Sequence, residues 1–429
     1  MKLKKILLIS IILIILFPIF SFADTNQPEI ISPACILIDS NTGKIIYEKQ
    51  SKKRMYPAST TKMMTAILAL ENCKLDDMVT VNYSAVSAEA VPYGYTIANL
   101  ITGEKFTVEQ LLNVLLIPSA NDAANVLAEH IGGSVENFSK MMNEKAKSIG
   151  CLDTHFVNPS GIHDDNHYST AYDLCLIAQY GMKNETFRSI VCKTYYKLPP
   201  TDKYQKDDRE FKTTNEMLLD KPNSDYNYYY EYVNGVKTGF TEYAHHCIAT
   251  SAKKDDVELI CVILGAENED AYESKRAVDC INLFNYAFEN YTEKKFISKD
   301  TIVKQIEFKN DKKIIQNNDE KPKILDVVPE NDLSLFTTTK VEEITPTITI
   351  NNDLKEPILK GSIVGKIEYD IDNEHYSINL IANNDIINSS YVQYLFDILL
   401  IVLIIIILLT ILKLHGHNKS KHSFDYKKL

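Results

Sequence analysis

Two apolar runs, one at each end of the chain and each flanked by lysines, decide which part of this sequence folds in water. Lys2, Lys4 and Lys5 precede an apolar stretch from Ile6 to Phe20 that closes on Ser21-Phe22-Ala23. That is the grammar of a signal peptide over residues 1–23, with the mature chain starting near Asp24. The second run, Leu395 to Leu412, is roughly 18 residues, enough to cross ~30 Å of hydrocarbon. Lys413, Lys419, Lys421, Lys427 and Lys428 follow it. The positive-inside rule places such a tail, residues 413–429, in the cytoplasm and everything between Asp24 and Ser390 outside the cell membrane.

What remains is long enough for more than one core. From Ile30 to about Tyr291, short β-type runs mix with helical stretches, so we place one domain over 24–291. Cys35 to Asp39 and Lys44 to Tyr47, joined across Asn41-Thr42-Gly43, read as a hairpin. Ser59 to Leu70, Val108 to Leu116 and Asp122 to Ile131 carry apolar residues at helical spacing, with Pro118 breaking the last two apart. Tyr232 to Val236 reads as an edge strand, and Cys247 to Ala252 and Val257 to Gly265 read as two more. The tyrosine-rich stretch Tyr226 to Tyr232 reads as a tyrosine-covered strand, in preference to a sugar-stacking surface. After Tyr291, runs such as Thr301 to Phe308 and Lys366 to Tyr369 alternate with Asn/Asp/Lys turns, which predicts a small all-β module over 292–388, read as a stalk.

A net charge of −11 argues against nucleic acid as a partner, because phosphate recognition needs basic patches. The eight cysteines show no CxxC or finger-like spacing. They read as small buried hydrophobes, in a compartment that permits a disulfide or two. His155, His163, His167, His245 and His246 make no metal spacing, so no metal or other cofactor is expected.

Three short motifs occur in order: Ser59-Thr60-Thr61-Lys62, Ser119-Ala120-Asn121 and Lys237-Thr238-Gly239. A serine hydroxyl needs a base to become a nucleophile, and lysine serves as that base only when neutral. Residues three apart on a helix share a face, so Ser59 and Lys62 meet. Burial against Met63 and Met64, with Lys237 nearby, disfavours the charged amine. Unpaired N–H groups at the helix start suit an oxyanion. The four-residue pattern is weak alone, since Ser251-Ala252-Lys253-Lys254 repeats it at a strand end. Ser119 and Asn121, in the break between two helices, offer a second hydroxyl to relay the proton and a carboxamide to hold a peptide bond. Lys237 and Thr238 can bind a terminal carboxylate, and Gly239 lets a substrate backbone approach.

Together the three motifs resemble those of the active-site serine penicillin-binding proteins and β-lactamases, and more closely the low-molecular-mass D-alanyl-D-alanine carboxypeptidases. Phe156-Val157-Asn158-Pro159-Ser160-Gly161, then His167 to Ala171, looks like that family's segment after the second motif, and the β-rich region after Tyr291 is similar to its membrane-proximal domain. The resemblance implies an antiparallel sheet flanked by helices, and removal of the terminal D-alanine from peptidoglycan stem peptides. It further implies that Ser59 is acylated, by substrate or by β-lactam antibiotics, with Lys62 as base and Ser119 as proton shuttle. Asn121 would position the substrate amide, Lys237 and Thr238 would hold the carboxylate, and the N–H groups of Ser59 and Phe240 would form the oxyanion hole. Many relatives carry histidine where Phe240 stands, which implies altered substrate contact or pH dependence. The rivals are a β-lactamase, which needs a glutamate that His155 to Pro159 does not supply, and a silent wall-binding protein, which intact motifs disfavour.

Overall fold

A computed structural model describes residues 27–270, 273–308, 322–387 and 389–422; the signal-peptide expectation at 1–23 lies outside them. The chain divides into two compact units, Met1–Tyr291 and Thr292–Leu429.

The first unit is built on five antiparallel strands. In chain order its strands are β1 (Ala34–Asp39), β2 (Ile45–Lys49), β3 (Met78–Thr80), β4 (Lys105–Thr107), β5 (Tyr195–Lys197), β6 (Glu210–Lys212), β7 (Val233–Thr241), β8 (His245–Lys254) and β9 (Val257–Ala266). The central sheet has the order β2-β1-β9-β8-β7, while β3 with β4 and β5 with β6 form separate ribbons. The hairpin signal at Asn41-Thr42-Gly43 is real: β1 pairs with β2, with a register irregularity between Leu37 and Ile38. Every residue of β9 from Glu258 to Ala266 is buried, because the Ala171–Met182 and Lys275–Asn290 helices both pack on it. Cover on both faces explains why Leu259 to Leu264 reads as an unbroken apolar run.

The helices over Val108–Leu116 and Asn121–Gly132 lie where the periodicity places them. The first is fixed by a capping box, in which the Thr107 side chain accepts from Gln110 N–H and Gln110 answers from its own side chain; such a pair satisfies two end donors at once. Ser59 is not on the α-helix proper. It lies in a 3₁₀ turn, Ala58–Thr61, that runs into the Lys62–Asn72 helix.

Two readings change. The stretch Tyr226 to Tyr232 is irregular, and β7 begins only at Val233. Its rings point to separate partners: the Tyr228 hydroxyl accepts from Ser274 N–H, while Tyr230 donates to Asn285 and stacks on Phe284. Tyr228 and Tyr230, two apart, thus face the same Lys275–Asn290 helix, as alternation allows; it is the backbone that is not a strand, with Val233 N–H donating to Tyr230 O in a turn and Tyr230 N–H to Met217 O. Among the cysteines, all eight are free; Cys192 is exposed and Cys73 half-buried, the other six being buried.

In the second unit, five antiparallel strands, Lys304–Phe308, Lys323–Pro329, Thr347–Ile350, Ile363–Ile371 and Glu374–Ala382, join into one sheet, and Thr292–Ile297 pairs with Leu333–Thr337. Its core gathers Leu325, Val327, Val364, Ile367 and Leu380. A helix runs over Ser389–His422, and within it Leu395–Lys413 is long and apolar enough to cross a membrane.

Candidate active site

The structure brings all three motifs to one pocket of about 650 Å³, lined among others by Ser59, Ser119, Asn121, Thr238, Gly239 and Phe240. Lys62 and Lys237 lie beneath it, fully and almost fully buried.

Lys62 sits at the centre. Its Nζ is 2.8 Å from each of Ser59 Oγ, Asn121 Oδ1 and the carbonyl oxygen of Ser160. Burial, then the Lys237 ammonium, holds the amine well below the ordinary lysine range, and Asp122 opposes this only in part. A neutral amine has two N–H donors and one lone pair. Asn121 Oδ1 and Ser160 O can only accept, so they take both donors, and the lone pair faces the Ser59 hydroxyl. That is the geometry a general base requires.

The segment carrying Ser160 was read from sequence only as part of a resemblance; in the fold it is the back wall of the site. Asn158 Oδ1 accepts from the N–H groups of Ser160 and Gly161, and Thr65 Oγ1 donates to Pro159 O. Gly161, at φ +82°, packs so tightly on the 3₁₀ turn that a Cβ there would lie 1.8 Å from Ala58 O. His167, buried, accepts from Val157 N–H through Nδ1, which leaves its Nε2–H to donate to Thr61 Oγ1 at 2.9 Å. Burial lowers its pKa to about 3, so the ring is a neutral brace. Two non-glycine residues at the site hold positive φ, Ala58 at +46° and Ser119 at +72°. Strain of this kind costs on the order of 1–3 kcal/mol and persists only where the surroundings enforce it.

Asn121 does not serve substrate alone. Its Oδ1 is engaged by Lys62 and one N–H by Thr96 O at 2.9 Å, which leaves the other N–H for a ligand. The next residue, Asp122, is buried and ties the neighbouring loop by accepting from Ala98, Leu100 and Ala123 N–H. The Ser119 hydroxyl has no hydrogen-bond partner among the described residues, and Ser119 is 7% exposed at the pocket wall.

The third motif lies within the edge strand β7. Gly239 brings that strand so close that a Cβ there would meet Ser59 N at 2.9 Å. Lys237 Nζ donates to Thr238 O, and Thr238 Oγ1 lies 2.5 Å from Thr214 Oγ1. Burial and then Arg276 bring the Lys237 amine down to about 7. Arg276 escaped the sequence reading because no motif marks it. It lines the pocket, donates to both oxygens of Glu216, and reaches the carbonyls of Gly239 and Cys247. Phe240 is 54% exposed, its ring against His246. The decoy motif falls away: Ser251 bonds Asn234, whereas Lys254 lies over the Tyr232 ring. Among the described residues, no group of three His, Cys, Asp or Glu side chains could hold a metal ion.

Comparison with known proteins points to one family. The family described as D-alanyl-D-alanine carboxypeptidase matches residues 22–268, and the penicillin-binding protein 5 C-terminal domain matches residues 291–387. D-alanyl-D-alanine carboxypeptidase DacF of Bacillus subtilis is 30% identical over 408 residues, covering 92% of this chain and 97% of its own. The crystal structure of D-alanyl-D-alanine carboxypeptidase DacD from Francisella tularensis is similar, with a TM-score of 0.62 at 26% identity, covering 85% of this chain and 95% of that one. The Streptomyces DD-transpeptidase aligns with a TM-score of 0.54 at 33% identity, over 61% of this chain and 99% of that one. Family, relatives and site geometry together make this chain a serine hydrolase belonging to the D-alanyl-D-alanine carboxypeptidase family.

Proposed function

We propose that this enzyme removes the terminal D-alanine of peptidoglycan stem pentapeptides through an acyl-enzyme on Ser59, and that penicillin acylates the same oxygen. The observation that carries the reading is the placement of Lys62, whose two N–H groups are spoken for and whose lone pair faces Ser59. Ser59 Oγ attacks the penultimate carbonyl as its proton passes to Lys62. The oxyanion takes hydrogen bonds from the N–H groups of Ser59 and Phe240. Collapse breaks the C–N bond, and the departing D-alanine amine takes the proton from Lys62; for the Ser119 hydroxyl, which has no partner among the described residues, to relay it, that hydroxyl turns toward Lys62 once substrate is bound. Asn121's remaining N–H holds the substrate amide, Lys237 and Thr238 hold the carboxylate, and water then hydrolyses the ester.

In a β-lactam the departing amine stays tethered to the acyl group, so it does not diffuse away and give place to water. The back-wall segment gives Lys62 a carbonyl and no carboxylate to activate a deacylating water, which favours a persistent adduct over β-lactam hydrolysis. The experiment is direct: the extracytoplasmic part should release one D-alanine per pentapeptide and hold labelled penicillin for many turnovers' time. Rapid loss of label with penicilloate release would favour the β-lactamase reading, and intact peptide would favour a silent wall-binding protein. The Leu395–Lys413 helix supports anchoring to the cell membrane, with the catalytic unit outside and the lysine-rich tail inside.

The two buried lysines set opposite limbs of a pH profile. Lys62 acts as base only when neutral, so activity rises as its proton leaves. Lys237 binds a carboxylate only when charged, and its pKa near 7 means that charge is lost above neutrality. Because kcat/KM reports the free enzyme, it should fall as pH rises above about 7. A profile flat to pH 9 would contradict the role given to Lys237.

A further inference from the structure

One carboxylate in the pocket has no part in the reaction. Glu242 lines it from the turn between β7 and β8, and its side chain has no hydrogen bond or ion pair among the described residues. The turn is held firmly. Ala244 N–H donates to Thr241 Oγ1 at 3.0 Å, and the Tyr243 ring stacks on His163 at 3.8 Å, with Tyr56 edge-on against that histidine. Tyr243 is nevertheless 64% exposed and Phe240 54%, and Tyr93 and Tyr95 also line the pocket. The basic groups nearby do not neutralise Glu242: Arg276 is committed to Glu216 and two carbonyls, Lys237 donates to Thr238 O, and Lys62 to Asn121 and Ser160. A free carboxylate among exposed aromatic rings suits an ammonium on an apolar stem, which can lay its methylenes on the rings and its charge on the acid.

Which substrate residue arrives there rests on the reading above. With the carboxylate at Lys237 and Thr238 and the scissile carbonyl at Phe240 N–H, the peptide runs antiparallel to β7 as an added strand. Strands advance about 3.4 Å per residue, so the residue before D-Ala-D-Ala comes level with Thr241 to Tyr243. We propose that Glu242 is a specificity-determining residue that recognises the side-chain ammonium of a diamino acid at the third position of the stem peptide.

The test compares kcat/KM for D-alanine release by the enzyme from two pairs of pentapeptides. One pair has lysine or Nε-acetyl-lysine at the third position; the other has diaminopimelate or its side-chain N-acetyl derivative. Acetylation should cost roughly five- to tenfold in at least one pair, as expected for a charge-assisted contact. The pair with the larger ratio identifies which diamino acid is read. In Glu242→Gln the ratio should fall below about twofold. An unchanged ratio in Glu242→Gln, or no discrimination by the unaltered enzyme in either pair, would overturn the proposal while leaving the carboxypeptidase reading intact. Absence of D-alanine release from every peptide would strike the reaction itself, and the proposal with it.

Discussion

Lys62→Ala should slow D-alanine release and penicillin acylation by about 10³–10⁴-fold, the scale of a lost general base, while the protein stays folded. No other group can take over. Lys237 is neutral only above about pH 7, and its Nζ points to Thr238 O, not to Ser59. His167 is neutral but is held between Thr61 and Val157. Removal of the amine also strands Asn121 Oδ1 and Ser160 O, each losing an acceptor's partner in a dry site, so some stability goes with the activity. The measurement pairs single-turnover acylation with a melting curve. Near-normal acylation in a folded Lys62→Ala protein would mean that another group is the base.

Ser59→Ala should remove both activities to the detection limit, because no other described residue at the pocket sets a hydroxyl against a neutral amine. Ser119 is the nearest rival in kind, and it has no basic partner among the described residues. The substitution removes one oxygen from a residue that is half-buried in the 3₁₀ turn. The turn is fixed by Gly161, Gly239 and the Thr61–His167 contact, none of which involves the Ser59 side chain. The fold should therefore survive, and the lost activity should exceed that of any other single oxygen removed from the site.

Much of this was legible in the chain. Periodicity located the helices around Pro118, the hairpin turn announced β1 and β2, and the apolar runs announced β8 and β9, though not that two helices pack on β9. Spacing placed Ser59 against Lys62. It did not show that the turn between them is 3₁₀, nor that Gly161, about a hundred residues away in sequence, packs tightly against that turn at Ala58. Nor did it show the partners that orient Lys62. Ser160 contributes a backbone carbonyl, which has no signature in a side-chain pattern, and Asn121 was read for a substrate contact although half of its carboxamide serves the lysine. Arg276 lay outside every motif, and only folding carries it to the pocket, whereas Glu242 follows Lys237-Thr238-Gly239 by three residues but belongs to no pattern that marks a role. The tyrosine stretch misled because β-propensity measures fit to a pleated surface, which these rings find against the Lys275–Asn290 helix, while the backbone beneath them turns instead of pairing with a strand.

The claim that everything else depends on is that Ser59 bears the acyl group. Protein treated with penicillin, digested and mapped by mass spectrometry should carry one adduct, on the peptide containing Ser59, and the Ser59→Ala protein should carry none. An adduct on any other residue, or one that persists in Ser59→Ala, would contradict the account.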